Sequence, residues 1–175
     1  MLIRPSTAAD IGAITAIYGH HVRHGTGTFE LEAPDEAEMA RRRETVLGAG
    51  WPWLVAVNGA HTVVGYAYAN PFRPRGAFRF CVEDSIYLAD QARGQGIGRT
   101  LLAELMGRCE AFGARQMVAV IGDSANVASI ELHRRLGFAP AGLLPGAGWK
   151  FDRWLDVVLM QRALGPDATT PPQGP

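Results

Sequence analysis

Arg93-Gly94-Gln95-Gly96-Ile97-Gly98-Arg99-Thr100 is the stretch whose residue types and spacing point most directly to chemistry. It follows a strand-like run and opens a helix-like one. Three glycines alternate with larger residues, so the backbone can take positive φ and come close to a ligand. The first amides of a helix lack intrahelical partners. Those donors, the positive end of the helix dipole and the charges of Arg93 and Arg99 suit a pyrophosphate. A dinucleotide fingerprint would need glycine where Arg99 stands, and a P-loop would need Gly-Lys followed by Ser or Thr; the chain has neither. The spacing it does have is Arg-x-x-Gly-x-Gly, carried by Arg93, Gly96 and Gly98. Upstream, Glu83 and Asp84 stand side by side in an otherwise apolar strand. A carboxylate near a site of attack can take a proton from an amine. Strand alternation sends the two side chains to opposite faces, so one of the pair should meet a cleft and the other should not. A solvent-facing glutamate is the plain alternative for Glu83.

Such residues need a scaffold, and the chain is long enough to build one. Its 175 residues suit a single domain with a real core, and 47% hydrophobic with 19% charged residues is the composition of a soluble globular protein. Lys plus Arg and Asp plus Glu both number 17, and this zero net charge argues against nucleic acid as a partner. Cys81 and Cys109 lie far apart, outside any paired motif, so neither a disulfide framework nor a zinc site is expected. His20 and His24 share a helix face, but no carboxylate-histidine motif accompanies them and no metal is expected. No secretory signal and no membrane-length apolar run is visible, so the expectation is a cytoplasmic protein without a membrane partner.

The expected elements alternate between the two periodicities. Leu2 to Arg4 reads as a strand. Ser6 or Thr7 can cap a helix running to about Arg23, with Ile11, Ile14, Ile17, Tyr18 and Val22 on its apolar face. Gly25 to Thr28 is a loop, and Pro34-Asp35 starts a second helix whose Arg41-Arg42-Arg43 run should be exposed. Trp53 to Val57 and Val63 to Ala69 are strands joined through Asn58-Gly59. Phe78 to Leu88 is a long strand, Leu101 to Phe112 a helix, Gln116 to Ile121 a buried strand, and Asn126 to Leu136 a helix. Phe138 to Leu143 and Trp154 to Met160 close the fold. Gly165 to Pro175 has almost nothing to bury and should be disordered, leaving one domain over residues 1–164.

The Arg93–Gly98 spacing resembles the acetyl-CoA pyrophosphate loop of the GNAT N-acetyltransferases. The similarity extends over the element order from Leu2 to about Leu164. Val82-Glu83-Asp84-Ser85-Ile86-Tyr87-Leu88, Val120-Ile121-Gly122, Leu132-His133-Arg134-Arg135-Leu136-Gly137-Phe138 and Gly148-Trp149-Lys150 resemble the phosphinothricin and methionine sulfoximine acetyltransferase branch. The resemblance implies an α/β (α+β) fold with a mixed central sheet, a splayed strand pair and flanking helices.

It also implies roles. Glu83 becomes the general base for the attacking amine. His133 stands where many of these enzymes carry a tyrosine, and it either protonates the departing CoA thiolate or only lines the site. Acetyl-CoA is the implied cosubstrate, with its pyrophosphate on Arg93, Gly94, Gln95, Gly96, Ile97, Gly98, Arg99 and Thr100. Its pantetheine would lie along Ile86, Tyr87 and Leu88 and reach Asn126, which could otherwise serve as a helix cap. Arg73, Arg75 and Lys150 would hold an acidic group of the acceptor between Phe29 and Phe78, with Arg75 ahead of Arg73. The implied acceptor is the α-amino group of a small amino-acid analogue such as phosphinothricin, methionine sulfoximine or methionine sulfone. Another amine, such as a protein N-terminus or an antibiotic, is the alternative within the same chemistry, and a non-catalytic acetyl-CoA-binding module is the alternative outside it. A homodimer is implied as well.

Overall fold

A computed structural model describes residues 1–172; the last three residues of the expected disordered tail lie outside the described residues. The chain runs β1 (Leu2–Pro5), α1 (Ile11–His24), α2 (Glu36–Gly48), β2 (Trp53–Val57), β3 (Val63–Pro71), β4 (Cys81–Leu88), α3 (Ile97–Ala111), β5 (Gln116–Gly122), α4 (Val127–Arg135), β6 (Ala139–Lys150) and β7 (Arg153–Ala163). The strands form one sheet in the order β1-β2-β3-β4-β5-β7-β6. Only β4 and β5 pair in parallel; the other pairs are antiparallel. This is the mixed α/β architecture expected from the sequence.

Residues buried on both sides of the sheet form the core. All five residues of β2 are buried, as its unbroken apolar run requires. On one face, α1 presents Ile14, Ile17, Tyr18 and Val22, and Tyr18 meets Tyr87 of β4 edge-on at 5.0 Å between ring centroids. On the other, α3 buries Leu101, Leu102 and Leu105, and Gly98 lies so close to Leu88 that a Cβ there would be 3.3 Å from it. Each buried leucine contributes roughly 1.5–3 kcal/mol of hydrophobic stabilisation. Asp35 caps α2 by accepting from the Glu38 amide at 2.8 Å, as its position before that helix predicts.

Three expectations need correction. The strand expected from Phe78 begins only at Cys81, because Gly76–Phe78 forms a 3-10 turn after Pro74. The Phe80 carbonyl then accepts from the Arg115 and Gln116 amides, which starts β5 beside it. The strand expected to end at Leu143 continues to Lys150, through Pro145, Gly146 and Gly148. It can do so because β6 is an edge strand and its register shifts between Leu144 and Gly148, where proline costs no ladder bond. Of the arginine run, only Arg41 is exposed. Arg42 pairs with Glu30 and Glu38, and Arg43 bonds Ser6.

Beyond β7, Leu164 is buried and Arg115 donates to the carbonyls of Asp167 and Pro171. Among the described residues no helix is long and apolar enough to cross a membrane.

Candidate active site

The sheet opens where β4 and β5 part. Their ladder pairs Cys81 with Gln116 and ends at Asp84 opposite Ala119, although β4 continues to Leu88 and β5 to Gly122. Meanwhile β4 stays paired to β3 as far as Leu88, and β5 to β7 as far as Gly122. The backbone edges of Ser85–Leu88 and Val120–Gly122 therefore face each other without bonding, and buried peptide groups left so need other partners. A cleft of about 1130 Å³ occupies the gap.

At one mouth lies the glycine-rich turn. Gly94 and Gly96 have φ of 73° and 78°, values that favour glycine. Gly96 caps α3, and the first bond within this helix runs from the Thr100 amide to the Gly96 carbonyl, which leaves the amides of Ile97, Gly98 and Arg99 without helical partners. A Cβ on Gly94 or Gly96 would meet nothing within 4 Å, so the space above the turn is open. Arg93, Gly94, Gly96, Gly98 and Arg99 line the cleft, as do Ile86, Tyr87 and Leu88. Gln95 turns back to donate to the Gln91 carbonyl, Ile97 is buried, and the Thr100 hydroxyl bonds the Gly96 carbonyl. The donor set and the open turn fit a pyrophosphate, and the parted edges of the two strands fit an amide-rich arm, except at the Leu88 carbonyl, which His21 Nε2 meets at 2.8 Å. Asn126 lines the same cleft and also caps α4, accepting from the Ser129 amide and donating to the Gly122 carbonyl.

Alternation along β4 puts Glu83, Ser85 and Tyr87 on the α1 side and Asp84, Ile86 and Leu88 on the α3 and α4 side. Both members of the acidic pair nevertheless line the cleft, because it passes through the sheet. The expectation that only one would meet it is corrected on that ground. Glu83 is half-buried. Burial, and then the charge of Asp84, raise its pKa, while Arg73 works against them.

His133 is buried and lines the cleft from α4. Its Nδ1 is 2.7 Å from the Ser129 carbonyl, so that nitrogen carries a proton. Its Nε2 is 3.0 Å from Asp84 Oδ2. Burial alone would lower the imidazole pKa, but the Asp84 carboxylate and the Ser129 carbonyl together raise it. Both ring nitrogens are thus engaged inside the protein. The second oxygen of Asp84 is buried and makes no hydrogen bond among the described residues.

Of the residues expected around the acceptor, Phe29 lines the cleft; Arg73, Arg75, Phe78 and Lys150 do not. Arg73 and Arg75 are exposed, and of the two it is Arg73 whose charge reaches Glu83 and Cys81. Lys150 is buried and bonds backbone carbonyls. Sequence reasoning missed Tyr68, Ser85 and Thr28 as lining groups. The signal for Tyr68 was its alternation with Tyr66 on β3, opposite a tryptophan. It stacks on Trp53 at 4.2 Å and faces the same side as Glu83. His20 pairs with Asp90 and stacks near His24, and no metal-holding group of three or more residues exists among the described residues.

Comparison with known proteins agrees with this geometry. The acetyltransferase (GNAT) family model matches residues 17–138. The phosphinothricin N-acetyltransferase of Alcaligenes faecalis is 54% identical over 164 residues, covering 94% of this chain and 83% of that protein. The L-methionine sulfoximine/L-methionine sulfone acetyltransferase of Pseudomonas aeruginosa is 43% identical over 169 residues, covering 97% and 98%. The crystal structure of a GNAT superfamily phosphinothricin acetyltransferase from Sinorhizobium meliloti, in complex with AcCoA, superposes with a TM-score of 0.96 at 52% identity, covering 98% of this chain and 92% of that one. A strand pair that parts above a glycine-rich helix start, matched at this identity along nearly the whole chain, means that the protein belongs to the acetyltransferase (GNAT) family.

Proposed function

We propose that this chain transfers the acetyl group of acetyl-CoA to the α-amino group of a small amino-acid analogue of the phosphinothricin, methionine sulfoximine or methionine sulfone type. The observation that carries this is the cleft through the sheet, with a phosphate cradle at one mouth and the Glu83 carboxylate on the opposite face. The turn from Arg93 to Thr100 holds the pyrophosphate, and the parted edge at Ile86, Tyr87 and Leu88, with Asn126, orients the arm. An amine near neutral pH is mostly protonated and cannot attack. Glu83 takes that proton, directly or through water, and the raised pKa that burial gives it brings it closer to the working pH of a base. The nitrogen then attacks the thioester carbonyl, the C–N bond forms, the C–S bond breaks with its electron pair leaving on the CoA thiolate, and the extra proton of the attacking nitrogen passes through water to give the amide and CoA thiol. His133, bonded on both sides, serves as a wall whose raised pKa favours positive charge near the departing thiolate.

Phe29 and Tyr68 wall the acceptor side, with Phe78 further out. Arg73, the arginine felt by Glu83, is placed ahead of Arg75 as the group that meets the acceptor's carboxylate. A panel of amino-acid analogues with acetyl-CoA, followed by free-thiol release, tests the assignment. A charge-assisted hydrogen bond is worth about 1.5–3 kcal/mol. Converting the acceptor carboxylate to an amide should therefore raise KM about ten- to a hundredfold, and Arg73→Ala should do the same to the free acid and little to the amide. Equal turnover of acid and amide would favour a peptide or another amine instead.

We also propose a homodimer. Leu143, Leu144, Trp149, Phe151 and Trp154 are each about half exposed or more on the β6–β7 hairpin, with the two tryptophan rings 5.1 Å apart. An apolar cluster of this kind suits a second copy of the chain. Light scattering should return twice the chain mass, and Trp154→Asp should return the monomer. The proposed location is the cytoplasm, consistent with two free cysteines, and the proposed domain ends at Leu164, before the tail.

A further inference from the structure

Lys150 ends β6 with only 4% of its surface exposed. A buried ammonium must find acceptors or give up its charge. Its Nζ donates to the Gly25 carbonyl at 2.9 Å and to the Thr28 carbonyl at 2.8 Å, and it lies 5.0 Å from the centre of the Phe151 ring. No carboxylate pairs with it among the described residues. Burial lowers its pKa, and the charge of Glu30 opposes that shift.

The cleft is lined by the backbone that Lys150 holds and not by Lys150 itself. Gly25 to Phe29 form its wall, in the loop between α1 and α2. That loop has no ladder or helix to satisfy its carbonyls. It is fixed by contacts from several sides. The Tyr18 hydroxyl is 2.8 Å from both Thr28 Oγ1 and Glu30 Oε1, and Arg42 grips the Glu30 carboxylate. Gly122 leaves room for the Thr26 carbonyl, and Gly148 for the Phe29 ring, which a Cβ would meet at 2.5 Å. Lys150 is the only one of these contacts that gathers two of the loop's carbonyls onto one charge. The hairpin that carries it is anchored on its other flank by Arg153, which pairs with Asp123. Between the two anchors, Phe151 and Asp152 both sit at positive φ, 53° and 55°, a conformation that persists only when its surroundings over-determine it.

We propose that Lys150 is a positioning residue for the acceptor pocket: by tying the Gly25 and Thr28 carbonyls to the end of β6, it sets Thr28 and Phe29 against the cleft without touching the acceptor. This rests on the acceptor site proposed above, and it differs from a direct clamp on the acceptor carboxylate in what it predicts.

The test compares wild type with Lys150→Met and Lys150→Gln, using methionine sulfone and its carboxamide as acceptors. Hydrogen exchange of the segment 25–30 is followed in the same variants. Lys150→Met should raise the acceptor KM about tenfold for acid and amide alike, the loss expected for one hydrogen bond to a charged group. It should leave acetyl-CoA affinity within about twofold and speed exchange in the loop. Lys150→Gln keeps an amide donor and should fall between, and it carries the same readings if the Met variant does not fold. A KM rise confined to the free acid would show a carboxylate clamp and overturn the proposal. Unchanged exchange with unchanged KM would overturn it as well. If wild type acetylates neither acceptor, the substrate assignment has failed, and the exchange measurement still decides the role of Lys150.

Discussion

Glu83→Gln is expected to lower kcat at neutral pH by a factor on the order of a hundred or more while leaving acetyl-CoA affinity intact. Glutamine keeps the shape and removes the only feature the step needs, a lone pair that can accept the ammonium proton. The pH profile carries a second signature. Burial and the neighbouring Asp84 hold the Glu83 pKa above the ordinary carboxylate range, against the pull of Arg73. Below that raised value the carboxyl is protonated and cannot act, so the wild-type rate should climb as pH rises through it. The glutamine variant should lack that limb. A variant with most of its turnover and an unchanged profile would mean that the amine loses its proton to another group.

Gly96→Val should weaken acetyl-CoA binding by roughly a hundredfold, the equivalent of one to two charge-assisted hydrogen bonds. The cause is the backbone and not crowding. A Cβ at residue 96 meets nothing within 4 Å, but φ is 78°, where a β-branched residue is a steric outlier. To relieve the strain the helix start must rotate, and the amides of Ile97, Gly98 and Arg99 rotate with it. Titration calorimetry on the folded variant measures the loss directly. An unchanged dissociation constant would place the pyrophosphate elsewhere.

How much of this was legible beforehand follows from how local each feature is. The cradle could be read because its chemistry is written in consecutive residues: glycines at positive φ, a helix start and two flanking arginines. Asn126 could be read as cap or ligand for the same reason, and it caps α4 while lining the cleft. The two-sided cleft could not be read from alternation. It arises where a ladder stops, and neither β4 nor β5 changes composition at Asp84 or Ala119. The burial of Lys150 was equally hidden, since it depends on a loop more than a hundred residues away in sequence folding over the end of β6. The length of β6 escaped because proline and glycine ordinarily break strands, and at a sheet edge with a register shift they need not.

The cleft's passage through the sheet has a consequence for the order of events. An opening on one face makes two reactants compete for a single entrance. On the proposed reading the cradle stands at one mouth, while Glu83 and Tyr68 look out on the other side of the strands, which gives the acyl donor and the amine a door each. Neither has to leave before the other arrives. Cys81 and Cys109 are absent from the lining, so no thiol waits there to hold the acetyl group between two half-reactions. Both reactants should then be present together at the moment of transfer, and steady-state rates measured against one at several fixed levels of the other are expected to give intersecting lines. On this reading the acetylated product has its own exit and can depart while CoA is still seated in the cradle.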